Sequence, residues 1–99
     1  MVKHIVMFRI AEKDESKKKE IASQLKTALD ALPAKISEIK YFEVGLNFAA
    51  VGNAFDAVLI SEFDNNDTLN QYRVHPEHQK VVAFIKGICD QTAVVDYLI

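Results

Sequence analysis

Residues 2–10 read Val2-Lys3-His4-Ile5-Val6-Met7-Phe8-Arg9-Ile10. Alternation puts Val2, His4, Val6, Phe8 and Ile10 on one face and Lys3, Ile5, Met7 and Arg9 on the other, the period-two pattern of a β-strand. The first face is apolar except for a histidine. The second still carries Ile5 and Met7, more apolar surface than an antiparallel sheet turned toward water usually holds. A strand of this kind needs a covering layer on each side, and the rest of the chain must supply or recruit them.

One layer is helical. Apolar residues at 21, 25, 28, 29 and 32 have the spacing of an amphipathic helix, which Asp14 or Ser16 caps at its start and Pro33 ends. Alternation returns over 39–48, with Phe42, Val44, Leu46 and Phe48 opposite Tyr41, Glu43, Gly45 and Asn47. Gly45 inside this strand points to a bulge or to the close approach of another group. Gly52-Asn53 marks a turn into a third strand near 55–63, with Phe55, Ala57, Leu59 and Phe63 on one face.

Asn65, Asn66 and Asp67 offer caps for a short helix through Tyr72. The residue before a proline is pushed out of helical geometry, so the chain breaks at His75 and a new helix opens on Pro76. Val81, Val82, Phe84, Ile85, Ile88 and Cys89 give that helix a wide apolar face. Residues 92–98 form a fourth strand, with Val94 and Leu98 opposite Ala93, Val95 and Tyr97. The resulting order is that of an α+β, ferredoxin-like βαββαβ protomer, a four-stranded antiparallel sheet with its helices on one face. For the other face the economical cover is a second copy of the chain about a two-fold axis, a homodimer through the sheet face.

With 99 residues, 49% of them hydrophobic and 26% charged, the chain reads as one soluble domain over 1–99. A chain of this size buries roughly 60–70% of its unfolded surface, so neither metal nor disulfide is needed to explain folding. A net charge of -2, from 12 Lys and Arg against 14 Asp and Glu, argues against a nucleic-acid partner. No window approaches the ~20 apolar residues that span a bilayer, and the opening segment meets charge too soon for a secretory leader. The expectation is a cytoplasmic protein without a membrane partner. Cys89 stands alone, which excludes an internal disulfide framework, and its register with Ile85 and Ile88 reads as a small buried hydrophobe. Lys17-Lys18-Lys19 reads as a solvated helix face.

The densest polar stretch is Tyr72-Arg73-Val74-His75-Pro76-Glu77-His78, one phenol and two imidazoles within seven residues across a helix break. Imidazole moves protons near neutral pH, and a phenol can donate to a carbonyl oxygen that gains negative charge. Removal of a proton beside a carbonyl uses both groups. His4 points toward the helix layer and is placed to line the same cavity. Structural readings stand beside these: His75 suits a helix cap, Tyr72 a core position, and His4 a hydrogen-bonded core histidine. A metal on His75 and His78 would need Glu77, Asp96 or His4 to converge on it. Neither a metal nor another cofactor is assigned.

Order and residues together resemble the stress-responsive A/B barrel domain (Dabb) family of dimeric α+β barrels, over essentially the whole chain. The resemblance rests on Val2-Lys3-His4-Ile5-Val6-Met7-Phe8, Glu43-Val44-Gly45-Leu46-Asn47, Tyr72 followed by His75-Pro76-Glu77-His78, and Val95-Asp96-Tyr97. It implies a ferredoxin-like protomer whose dimer closes two sheets into a barrel. A catalytic relative, the plant olivetolic acid cyclase, closes a linear polyketide by an aldol condensation. Its motif carries over to His78 as the base and Tyr72 as the oxygen-steadying group, with His4 matching a further pocket histidine. Ala57 stands where that cyclase has a histidine.

Two functional classes follow. One is a cofactor-free small-molecule enzyme in which His78 and Tyr72 act on a carbonyl compound, with His4 and His75 lining the ligand site. The other is a non-catalytic, dimeric stress-associated or hydrophobic-ligand-binding protein, its histidines locked in structural hydrogen bonds and its core filled. A monooxygenase or haem-degrading enzyme on the same scaffold is disfavoured, because no Trp or Asn accompanies a pocket histidine in their pattern.

Overall fold

A computed structural model describes residues Met1–Ile99, and in it the opening alternation forms β1 (Val2–Ile10). The elements that follow are α1 (Glu15–Asp30), β2 (Tyr41–Leu46), β3 (Ala57–Phe63), α2 (Asn66–Val74), α3 (Pro76–Ile88) and β4 (Cys89–Leu98). The strands make one sheet in the order β2-β3-β1-β4, and every neighbouring pair is antiparallel. This is the ferredoxin-like arrangement that the sequence pattern predicts. The longest helix has 16 residues, and no helix is long and apolar enough to cross a membrane.

Local chemistry sets the element ends. Asp14 caps α1 by accepting from the Lys17 N–H, and Asn65 and Thr68 form a reciprocal capping box at the start of α2. Both caps satisfy backbone donors that have no partner inside the helix. At Gly45 a β-carbon would stand 3.2 Å from Val58 Cγ1, so the close approach, with β2 and β3 in unbroken register, is the reason for the glycine.

The helix-facing side of the sheet holds the core. Val2, Phe8, Val44, Ala57, Leu59 and Phe63 are buried there against Leu25 and Leu29 of α1 and Leu69 and Tyr72 of α2. Only two polar residues are buried, His4 and Ser61, neighbours across β1 and β3, and the Ser61 hydroxyl donates to the His4 carbonyl at 3.2 Å. On the opposite side, register aligns Ile5 with Ile60 and Val95, and Met7 with Val58 and Ala93. Met7, Val95 and Tyr97 are exposed on that side. Helices leave this face open, as the alternation of β1 foretells.

Three expectations are corrected. Strand β2 ends at Leu46, and Phe48 lies in the following loop at 99% exposure rather than on a strand face. Phe55 likewise precedes β3. Cys89 is the C-cap of α3 and the first residue of β4, because its extended backbone (φ -104°, ψ 141°) has left the helix. It is half-buried, and burial pushes its thiol up to about 11, which leaves little thiolate at neutral pH.

Candidate functional site

The helix break builds the site. Pro76 has no N–H and its ring disfavours helical geometry at His75, whose backbone is extended (φ -62°, ψ 135°). His75 then caps α3: its Nδ1 accepts the Glu77 N–H at 3.1 Å. That N–H would otherwise have run back to the Arg73 carbonyl in a continuous helix. The freed carbonyl instead accepts from His78 Nδ1 at 2.9 Å and from Gln79 Nε2 at 2.6 Å.

A carbonyl oxygen only accepts, so the proton of neutral His78 is on Nδ1 and the lone pair on Nε2. Burial holds the His78 pKa below the ordinary 6.5, against the opposing pull of the Arg73 carbonyl, and the neighbouring positive groups push it the same way as burial. The ring is therefore mostly neutral at pH 7 and basic at Nε2. Tyr72 packs 4.2 Å from it, centroid to centroid, tilted by 40°. Phe63, at 5.0 Å, backs the phenol. Burial raises the Tyr72 pKa, which keeps the phenol protonated and a donor. No protein group hydrogen-bonds its hydroxyl, yet no fully buried side-chain N or O lacks a partner, so the hydroxyl reaches accessible space.

That space is a cavity of about 560 Å³ between α3 and the β1–β4 side of the sheet, with His4, Tyr72, Arg73 and His78 at its polar end. Val6, Phe8, Val82 and Ile85 supply apolar wall. Its size falls in the range of small-molecule sites. Cys89, Asp90 and Gln91 also line the cavity, where the β1–β4 register shifts and Arg9 pairs with Asp90 at 2.9 Å. Register irregularities often re-aim side chains beside sites.

His4 enters from the sheet. Its ring stands 6.2 Å from that of Tyr72, and its Nδ1 donates to Asp96 Oδ1, directly across from it in the β1–β4 register. The second oxygen of Asp96 accepts from Arg73 Nη2 at 2.6 Å. Arg73 thus fixes both histidines, His78 through its carbonyl and His4 through its guanidinium and Asp96.

Of the four residues expected at the site, His78, Tyr72 and His4 are brought together on one cavity. His75 is not: it lies outside the lining, and its Nδ1 is occupied in the cap. No group of three or more His, Cys, Asp or Glu side chains is assembled that could hold a metal ion. The sequence does not announce Asp96 and Arg73 as supports of the site, because 92 positions separate Asp96 from His4 and only strand register joins them. Alternation is the signal that could find the pair, since Val94 and Leu98 share the helix-facing side with Asp96.

Fold and site together define an α+β, ferredoxin-like protein with a histidine- and tyrosine-lined cavity under its helices. A family model for the Stress responsive A/B Barrel Domain matches residues 2–99, and the chain belongs to that family. It is 30% identical over 100 residues to a stress-response A/B barrel domain-containing protein of Arabidopsis thaliana, covering 99% of this chain and 36% of the plant protein. The chain thus spans about a third of that relative's length. A dimeric protein of unknown function and ferredoxin-like fold from Bacteroides fragilis is 39% identical with a TM-score of 0.89, over 99% of this chain and 95% of that one. Hydroxynitrile lyase from Passiflora edulis shares the fold at 19% identity and a TM-score of 0.81, over 99% of this chain and 92% of the lyase.

Proposed function

We propose that the chain is a cofactor-free small-molecule enzyme that removes a proton next to a carbonyl. His78 Nε2 takes the proton from the α-carbon, and the bonding pair moves onto the carbonyl oxygen. Tyr72 donates a hydrogen bond to that oxygen as it gains charge. In an aldol closure the resulting carbanion attacks a second carbonyl, a carbon–carbon bond forms, and the proton on His78 passes to the new alkoxide. Nothing is oxidised or reduced, so the sequence of steps needs no cofactor.

The observation that carries this reading is the pairing of a neutral Nδ1–H histidine with a protonated tyrosine 4.2 Å away on a cavity. His4, held by Asp96, adds a third polar group at the same end. A cavity of about 560 Å³ counts against the filled core of a purely structural protein, and the base and phenol at its polar end favour chemistry over simple binding of a hydrophobic ligand. The same fold carries a lyase in Passiflora edulis. Ala57, buried away from the cavity lining, offers nothing to replace the cyclase histidine, so we infer a general carbonyl α-proton chemistry rather than that polyketide closure.

A homodimer through the open sheet face is part of the reading, supported by the exposed apolar residues there and by the dimeric state of the Bacteroides relative. We place it in the cytoplasm as a single domain over 1–99. Light scattering should give twice the mass of one chain, and a monomer would rule the dimer out.

The direct test follows deuterium exchange at the α-carbon of medium-chain methyl ketones in D2O by NMR. Wild type should accelerate exchange above buffer, while Tyr72→Phe and His78→Ala should lose that acceleration with their folded spectra intact. Equal acceleration by all three proteins rules the proposal out.

A further inference from the structure

On α3, His78, Val82 and Lys86 stand at four-residue steps, and all three line the cavity. Residues four apart follow one another along a single helix face. Eight residues rise about 12 Å along the axis. One stripe therefore runs from a base, past an apolar wall, to an ammonium group two turns away. Ile85 and Val94 continue the apolar wall beside it.

The charges along this cavity are not equivalent. Arg73 is neutralised by Asp96 at 2.6 Å, and Asp90 by Arg9 at 2.9 Å. Lys86 takes part in no ion pair, although most of the chain's Lys and Arg side chains do. Asp90, four residues further on, is the nearest carboxylate in sequence and is already held by Arg9. The cavity thus has one uncompensated charge, a cation, at the end remote from His78.

We propose that the cavity takes an elongated anionic carbonyl compound, its carboxylate on Lys86, its apolar chain along Val82 and Ile85, and its carbonyl at His78 and Tyr72. The carbonyl end rests on the reading of the preceding subsection, whereas the anionic subsite stands on the stripe and its unpaired lysine. A carboxylate gains an ion pair with the ammonium there, which a neutral ester, accepting only a hydrogen bond, does not. Because Lys86 is exposed, its substitution leaves the core untouched.

Calorimetric titration of decanoate and of methyl decanoate into wild type, Lys86→Gln and Lys86→Arg tests it. Wild type should prefer the acid by about fivefold, the upper range for an exposed ion pair. Lys86→Arg should keep the preference and Lys86→Gln should abolish it, and added salt should weaken only the acid. Equal affinity of acid and ester in wild type, or an unchanged preference in Lys86→Gln, overturns the anionic subsite. So does binding of neither compound. The carbonyl chemistry is judged separately by exchange in neutral ketones, so the two readings fail independently.

Discussion

Helix α1 lays Leu25 into the β2–β3 half of the sheet at 0% exposure, with Leu32 and Ile36 buried in the same half, while Leu29 one turn on reaches the cavity wall. Helix α3 carries an equally regular apolar stripe over the β1–β4 half, yet of its stripe only Val81 is buried. Val82, Phe84, Ile85 and Ile88 stay half-buried, and Val82 and Ile85 face the cavity. Periodicity reports which face of a helix turns inward. It does not report whether that face meets close-packed side chains or a space kept for a ligand, which depends on the volumes brought opposite it.

If the two halves differ in this way, substitutions in the filled half should cost the most stability. Leu25→Ala should lower it by about 2–5 kcal/mol in denaturant unfolding, since a buried leucine leaves a cavity that the surroundings cannot fill. In the cavity half, His78→Ala should lower ketone exchange about a hundredfold or more, the usual range for loss of a general base, while moving the unfolding midpoint little. Ile85→Ala should cost about 1 kcal/mol, because a half-buried side chain gives up only part of its transfer free energy. A loss as large as that of Leu25→Ala would erase the distinction between the halves. The mildest change belongs to His75→Ala, which removes a helix cap for about 1 kcal/mol or less and should leave ligand binding unaltered.

His75 and His78 repeat the contrast within one turn. Both flank the same proline, and the sequence makes them equally able to line a site. What separates them is the backbone accounting at the break: the Glu77 N–H claims His75, and the carbonyl it leaves behind claims His78. The strand alternations, both helix caps and the break at Pro76 are legible in the sequence because each depends on residues close together along the chain. The end of β2 before Phe48 is not, since nothing local in an apolar run says where its partner strand stops. Cys89 misleads because the helical spacing persists one residue past the point where the chain turns into β4. Asp96, which orients His4, and Lys86, which lacks a partner, acquire their meaning only from what the fold sets beside them.

The carbonyl chemistry proposed for the cavity turns on His78 being a neutral imidazole with its proton on Nδ1 and its base on Nε2, open to the cavity beside Tyr72. Nitrogen-15 NMR of the histidine rings across a pH titration measures this state. It should show an Nδ1–H tautomer at pH 7 and a midpoint below the ordinary 6.5, with exchange activity lost as pH falls through that midpoint and no falling limb below about pH 10 from Tyr72. An Nε2–H tautomer, or a midpoint at or above 6.5, would contradict it.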